Sequence, residues 1–306
     1  MDLTLSVPGG RQVRILERPG LWMAPDALDA LGADLRSVAG KTLPAGQLTY
    51  GVLGGERVAT ERAVITLVSD RKTGAPIAFN ALALMQVDLG HRAEDVLHLG
   101  LVMIDPEVRQ QGLSWILYGL TCVLMVLRNG LRPLWVSNVT QVPSVVGLVS
   151  SGFAQTFPNP AEPTATRSLM HLMLARAILR DHRAVFGVGP EAEFDEARFV
   201  ITDAYTGGSD DLKKTYEDAP KHREDVYNDF CRAELDYARG DDVLQLGIVD
   251  VPSSLAYIRR DVPAGGLAAL AFAIGAAALQ RAAMPLWQWA DSRRDFGPLR
   301  AREADK

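Results

Sequence analysis

The chain has 306 residues, of which 48% are hydrophobic and 23% charged. This composition is typical of a globular protein that holds one large domain or two smaller ones. The formal net charge of −5 and the pI of about 5.6 argue against a nucleic-acid partner bound through a generally basic surface. Two cysteines, Cys122 and Cys231, predict neither a disulfide framework nor a zinc site. The first residues lack a basic region followed by an apolar run, so we expect no signal peptide and a cytoplasmic location.

The first half of the chain predicts a meander of strands followed by a strand–helix–strand unit. Alternating or continuous apolar patterns bounded by turn residues predict strands at 11–17, 63–69, 76–87, 96–104 and 134–138. Apolar residues at helical spacing predict helices at 25–35, 115–127 and 145–153. Short loops join the second, third and fourth strands, so we expect them to pair antiparallel. The helix before the fifth strand predicts a parallel, right-handed crossover.

The most informative stretch is the strand at 96–104 together with the turn after it. The strand is almost continuously apolar, which indicates burial on both faces, and Asp105-Pro106 ends it. A polar turn containing Gly112 then leads into the helix that begins at Trp115. The first N–H groups of a helix have no intrahelical partners, and a glycine lets a ligand approach the backbone. The turn therefore suits a phosphate or pyrophosphate.

This stretch resembles the acyl-CoA-binding motif of the GCN5-related N-acetyltransferase (GNAT) superfamily. The motif is Gln or Arg, two residues, Gly, one residue, then Gly or Ala. Its three positions are occupied here by Arg109, Gly112 and Ser114, and Ser114 departs from the pattern. Gly152-Phe153 resembles the Gly-Phe pair that ends a later helix of the family. The resemblance covers residues 50–157.

The resemblance implies an α/β (α+β) fold with a GNAT-like mixed, mostly antiparallel sheet flanked by helices, in which two strands splay to admit pantetheine. We expect a GNAT-like acyl-CoA-binding domain over 1–175, a C-terminal α/β extension over 176–262, and an apolar Ala-rich helix with a polar tail over 263–306. Helical spacing and apolar runs in the second half predict, in chain order, a helix at 167–183, a strand at 197–204, a helix at 223–239 and a strand at 242–249.

The apolar tail leaves two interpretations open. Its uncharged run at 263–280 is slightly short for a membrane-spanning helix. Trp287 and Trp289 follow it, ahead of Arg293 and Arg294, and this arrangement is common at a membrane interface. One interpretation is a weak membrane contact through 264–290. The other is a helix packed on the protein or in a homodimer.

The resemblance also implies a co-substrate, acetyl-CoA or another acyl-CoA, and no metal. The backbone at the end of the strand is expected to hydrogen-bond pantetheine and to polarise the thioester carbonyl, while the amides of the turn hold the pyrophosphate. Arg109 is expected to place a positive charge near a phosphate. The residues expected to bind the co-substrate are Val102, Met103, Ile104, Arg109, Gln111, Gly112, Leu113 and Ser114.

His98 is the candidate catalytic base, because an imidazole titrates near neutrality and lies in the strand beside the expected thioester. Some histone-type members of the family carry a catalytic glutamate at this place. The alternative is a strand histidine that only hydrogen-bonds structurally, with Asp95 and Glu94 as further candidates. Leu148 stands where many members place the tyrosine that protonates the departing thiolate. Three alternatives therefore stay open for the departing thiolate. Water protonates it, or the low pKa of the thiol makes an acid unnecessary, or the catalytic activity is degraded.

The predicted function is an N-acyltransferase, an acetyltransferase in the simplest case, in which an amine attacks acyl-CoA directly. The acceptor is either a small molecule or a protein, and the fold does not name it. Two alternatives stay open. One is a non-catalytic GNAT-like module that binds acyl-CoA or a partner. The other is an enzyme that takes a long-chain acyl donor near membranes.

Overall fold

The computed structural model describes residues 2–43, 48–109, 111–113 and 115–263, and parts of the tail at 266–268, 271–272, 274–275, 278–279, 282–283 and 286. The strands are β1 (Asp2–Val7), β2 (Arg11–Glu17), β3 (Ala63–Asp70), β4 (Pro76–Asp88), β5 (Ala93–Ile104), β6 (Leu134–Thr140), β7 (Ala154–Phe157), β8 (Glu193–Asp195), β9 (Val200–Thr202) and β10 (Asp242–Val249). The helices are α1 (Pro25–Thr42), α2 (Arg57–Thr60), α3 (Thr121–Arg128), α4 (Pro143–Gly152), α5 (Leu169–Asp181), α6 (Asp225–Glu234) and α7 (Val251–Asp261).

These strands form one mixed, mostly antiparallel sheet. Its order is β1-β2-β3-β4-β5-β6-β10-β9-β8, and β7 pairs with β10 beside that path. Among the described strands, β5 and β6 form the parallel pair. The sheet continues across residue 175, because β10 pairs antiparallel with β6 along most of its length. The expectation of a mixed, mostly antiparallel sheet flanked by helices is confirmed.

Side chains of β4 alternate between two apolar layers, as the two-residue period of a strand requires. Phe79 and Met85 lie on the face covered by α1 and α5. Ala78 and Leu82 lie on the opposite face, in the cluster built around α3. The centre of the sheet is therefore buried on both faces, which explains why its strands are almost continuously apolar.

The element predictions differ in how closely their bounds hold. The strands predicted at 11–17 and 242–249 are β2 and β10 with those bounds. The helix predicted at 25–35 extends to Thr42, because Leu35 and Val38 continue its buried face. The strand predicted at 197–204 is only β9. Strand β1 and helix α7 were not predicted, although Leu3, Leu5 and Val7 alternate along β1.

The apolar tail lies partly outside the described residues. Where it is described, Phe272, Leu279 and Leu286 expose most of their side chains, while Ile274 packs against the cluster around α3. No helix within the described parts of the chain combines the length and apolarity needed to cross a bilayer. The membrane contact through 264–290 and the homodimer stay predictions.

Candidate functional site

The sheet opens between its two central strands. Strands β5 and β6 pair only from Val96 with Trp135 to His98 with Ser137. Beyond that point β5 continues to Ile104 and β6 to Thr140. In this part β5 is paired with β4 on one side, and no described strand pairs with its other side. A gap with unpaired strand edges therefore begins directly above His98.

A bulge in β5 lies where the gap begins. Ala81 of β4 pairs with Leu101, but Ala83 pairs with His98, so two residues of β5 oppose one of β4. Gly100 is one of the two, and a Cβ there would lie 2.3 Å from the Ala81 carbonyl oxygen. The residue must be glycine for this close approach. Because a bulge bends its strand and increases its twist, it accounts for the departure of β5 from β6.

The predicted pantetheine-binding residues form the end of β5. Met103 is buried against α1, and the side chains of Val102 and Ile104 are half-buried on the opposite face. The Ile104 carbonyl accepts a hydrogen bond from the Thr42 hydroxyl at 3.3 Å. The structure thus places these three residues along the open edge of β5.

Next comes the turn predicted to bind phosphate, at the top of the gap. Gly112 adopts a left-handed backbone with φ of +68°, and a Cβ at this position would meet no heavy atom within 4 Å. Gln111 and Arg109 are exposed, and Leu113 is buried. The backbone at Gly112 is therefore open to a ligand. Ser114, the last predicted member of the site, lies outside the described residues.

Two cations flank this turn, and sequence reasoning missed one of them. Arg11, at the start of β2, donates from its guanidinium to the Gln111 carbonyl at 3.3 Å and also contacts the Gln111 side-chain oxygen. Exposed Arg109 is the other cation. The nearby Lys41 is already paired, because it donates to Asp105 at 2.8 Å and lowers the pKa of that carboxyl. Arg11 could not be identified from the motif because it reaches the turn from the β1–β2 hairpin.

The helix after the turn begins with a π-helical segment, Trp115–Leu120, rather than the regular α-helix predicted there. Buried Asn80 of β4 donates to the Leu117 carbonyl and accepts from the Thr66 amide at 3.1 Å. The Asn80 side chain therefore bonds to a backbone carbonyl within the wider, π-helical turn. The Ile116 and Leu117 amides both bond to the Leu113 carbonyl, so a ligand would find its amides in the turn before them.

His98, the predicted base, lies at the bottom of the gap and is only 2% exposed. Its Nδ1 is 3.0 Å from the Ser137 hydroxyl, and its ring lies 4.8 Å from the ring of Phe186. Burial lowers the pKa of His98 to about 3. The imidazole is therefore neutral at pH 7 and a weak proton acceptor, which favours the structural alternative; its catalytic role stays a prediction.

The position where the family places a tyrosine faces a small cavity rather than the gap. Leu148 of α4 lines a cavity of about 30 Å³ between α3, α4 and α7, together with Tyr118 and Cys122. Burial raises the pKa of the Tyr118 hydroxyl and raises that of the Cys122 thiol to about 12. Tyr257 of α7 packs against Gly119 on the same side. Leu148 and Tyr118 both line this cavity, and the general acid stays unassigned.

Within the described ranges, no cluster of three or more His, Cys, Asp or Glu side chains has the arrangement of a metal site. Comparison of the sequence with models of protein families finds no match, and comparison with curated proteins finds none. The argument for function therefore depends on the geometry of the gap, the turn and the side chains around them.

Proposed function

We propose that this protein is an N-acyltransferase of the GNAT type that moves an acyl group from acyl-CoA to an amine. The observation that carries the proposal is the separation of β5 from β6 directly below the Gly112 turn. A parallel pair of central strands that opens at one end offers unpaired backbone groups to an extended ligand, as an added strand would use them. Pantetheine carries two amides and suits such an edge.

The charges at the top of the gap support the same ligand. Arg11 and Arg109 flank the exposed Gly112 backbone, and guanidinium groups bind phosphates strongly. A pyrophosphate on this turn would place pantetheine in the gap, along the edge formed by Val102 and Ile104. The acyl group would then lie below, on the side of the sheet that faces α1 and α5.

The reaction needs little from the protein once both substrates are held. Backbone N–H groups at the open edge of β5 would stabilise the negative charge that develops on the thioester oxygen. The amine nitrogen attacks the carbonyl carbon, the C–N bond forms, and the C–S bond breaks with its electrons on sulfur. Holding the amine and the thioester in contact supplies much of the acceleration.

A second function is favoured by two side chains. His98 is buried and neutral, and Leu148 replaces the tyrosine expected to protonate the thiolate. A chain that binds acyl-CoA without turning it over would have both features. Such a module would bind acetyl-CoA but release no thiol with any amine, whereas the enzyme would release thiol.

The long-chain donor alternative depends on the tail. Exposed Phe272, Leu279 and Leu286 would favour palmitoyl-CoA over acetyl-CoA if the tail helped to bind the acyl chain. Equal turnover of the two donors, with no vesicle binding by the full chain, would exclude this alternative.

The test is a titration of the full chain with acetyl-CoA, using Gly112→Asp and the control Gly90→Asp. Both glycines have positive φ and open space around a Cβ, so both variants carry the same kind of backbone strain. Gly90 lies in the β4–β5 turn, at the opposite end of β5. Only Gly112→Asp sets a carboxylate against the pyrophosphate, so we expect at least about a 10-fold rise in Kd for that variant alone.

Equal Kd values in the wild type and in Gly112→Asp would contradict the assignment of the turn. Thiol release with a panel of amines, measured on the same preparations, separates the enzyme from the binding module.

A further inference from the structure

A second polar group lies at the height of the predicted thioester, on the first residue of β10. The two β4 residues that pair with His98 and with Val102 are three positions apart. Val102 therefore lies three positions beyond His98 along the sheet. Along β6, Thr140 lies three residues beyond Ser137, the partner of His98, and pairs with Val243 of β10. Val243 is therefore level with the open edge of β5. Asp242 precedes it and lies beside Gln141, just past the end of β6.

The Asp242 side chain shares a face of the sheet with the bottom of the gap. Leu244, two residues on along β10, packs in the same cluster as α5 and Phe186, and Phe186 covers His98. By the alternation of a strand, Asp242 points to that face too. This is the face on which the acyl group would meet an acceptor.

Asp242 is 5% exposed, yet none of the Lys, Arg or His side chains that the structure describes pairs with it. Its Oδ1 accepts a hydrogen bond from the Tyr205 hydroxyl at 2.9 Å. The Tyr205 oxygen lies 2.7 Å from the side-chain amide of Gln141. The other groups that interact electrostatically with Asp242 are Asp241 and the side chains of Tyr50, Tyr237 and Cys231.

The neighbouring carboxylate has the opposite environment. Asp241 receives two guanidinium hydrogen bonds of 2.7 Å from Arg239 and a third, of 3.1 Å, from the Asp236 amide. Asp241 is thus a fully paired carboxylate with a structural role. Among the described residues, Asp242 has one hydrogen-bond donor, the Tyr205 hydroxyl, although burying a carboxylate without a cation is costly. A ligand that supplies the missing positive charge would remove that cost.

We propose that Asp242, held by Tyr205, binds the ammonium group of a small aliphatic amine and accepts its proton before acyl transfer. This inference rests on the acyltransferase function proposed above. The rings of Tyr50 and Tyr205 would face the cation, and the buried surroundings select a small acceptor. It assigns the role of base to Asp242, because burial leaves His98 a weak proton acceptor.

The proton balance of the step is complete. The ammonium nitrogen gives one proton to the Asp242 carboxylate, and its lone pair then attacks the thioester carbon. When the C–S bond breaks, the thiolate takes the second proton from the new amide nitrogen. The products are the amide and the free thiol, and Asp242 returns its proton to water.

The experiment measures thiol release by the full chain with acetyl-CoA and small primary amines between pH 5.5 and 9, for the wild type, Asp242→Asn and Tyr205→Phe. We expect kcat/KM for the amine to fall at least about 100-fold in Asp242→Asn, the range of general base catalysis, with unchanged Kd for acetyl-CoA. The wild-type rate should rise with pH along a limb centred near 7, which Asp242→Asn lacks. Loss of the Tyr205 hydroxyl donor should move this limb to higher pH.

Asp241→Asn is the control, because its carboxylate belongs to the paired cluster. It should lose stability and keep the limb, moved towards lower pH, because the Asp241 charge raises the pKa of Asp242. An Asp242→Asn enzyme within threefold of the wild type, with the same limb, would overturn the inference and leave the acyltransferase intact. If acetyl-CoA does not bind the wild type, the acyltransferase proposal fails instead. In that case the shift in melting temperature caused by the amine is measured without acyl-CoA. A shift that the wild type shows and Asp242→Asn lacks supports the ammonium site. Equal shifts in the two proteins overturn it.

Discussion

Replacing Asp242 with asparagine should make the protein more stable above pH 7. Burial raises the pKa of Asp242 to about 7 from an ordinary value of 3.8, and the Tyr205 hydrogen bond only partly opposes this rise. The folded state therefore holds the proton more tightly than the unfolded state, so stability falls as pH rises from about 4 to about 7 and is constant above. Three pKa units correspond to roughly 4 kcal/mol as an upper limit.

The assay is urea unfolding of the wild type and Asp242→Asn at intervals from pH 4 to pH 8.5. The difference in unfolding free energy should be small at pH 4, grow in favour of Asp242→Asn, and level off above pH 7. Asp241→Asn should show the opposite sign. Burial alone would raise the pKa of Asp241, but the Arg239 and Asp236 hydrogen bonds outweigh it and lower that pKa. A difference for Asp242→Asn that does not change with pH would refute the reasoning.

Two further predictions concern the bottom of the gap. Gly100→Ala should lower the unfolding free energy by about 1–3 kcal/mol, because the new Cβ would lie 2.3 Å from the Ala81 carbonyl; the control Gly40→Ala, in α1 with open space, should raise it by up to about 1 kcal/mol. If chemical denaturation showed the same change in unfolding free energy for Gly100→Ala and Gly40→Ala, the bulge would not require glycine at position 100. His98 has a lowered pKa, so its contribution to stability is present above pH 6.5 and is lost as pH falls towards 3. His98→Gln should therefore flatten the acid side of the stability curve, and an unchanged acid side would contradict the buried, neutral imidazole.

Sequence patterns predicted the central strands because those strands are buried in a regular way. The bounds of β2 and β10 could be predicted because the apolar pattern of each strand, alternating or continuous, extends over its whole length. The Gly112 turn was predicted for a similar reason, since a strand, a proline, a glycine and an apolar helix lie next to one another in the chain.

Other parts of the site depend on residues far apart in the chain. Within the π-helical turn after Trp115, the Leu117 carbonyl bonds to Asn80, which lies on another element. Arg11 reaches the turn from the first hairpin. No local pattern contains either contact.

Asp242 was missed for a different reason. At the start of a strand, next to Asp241, it reads as the polar boundary of a loop. Only the pairing of β10 with β6 brings it to the level of the gap. His98 was chosen on the strength of its ordinary pKa, which its burial changes.

The most direct test of the central claim is amide hydrogen exchange of the full chain with and without saturating acetyl-CoA. The account predicts slower exchange in peptides that cover 99–104 and 111–113, because pantetheine would occupy the open edge of β5 and the pyrophosphate would cover the Gly112 turn. The β4–β5 turn at Gly90 should exchange at the same rate in both states. Unchanged exchange across 99–113, or protection confined to other parts of the chain, would contradict it.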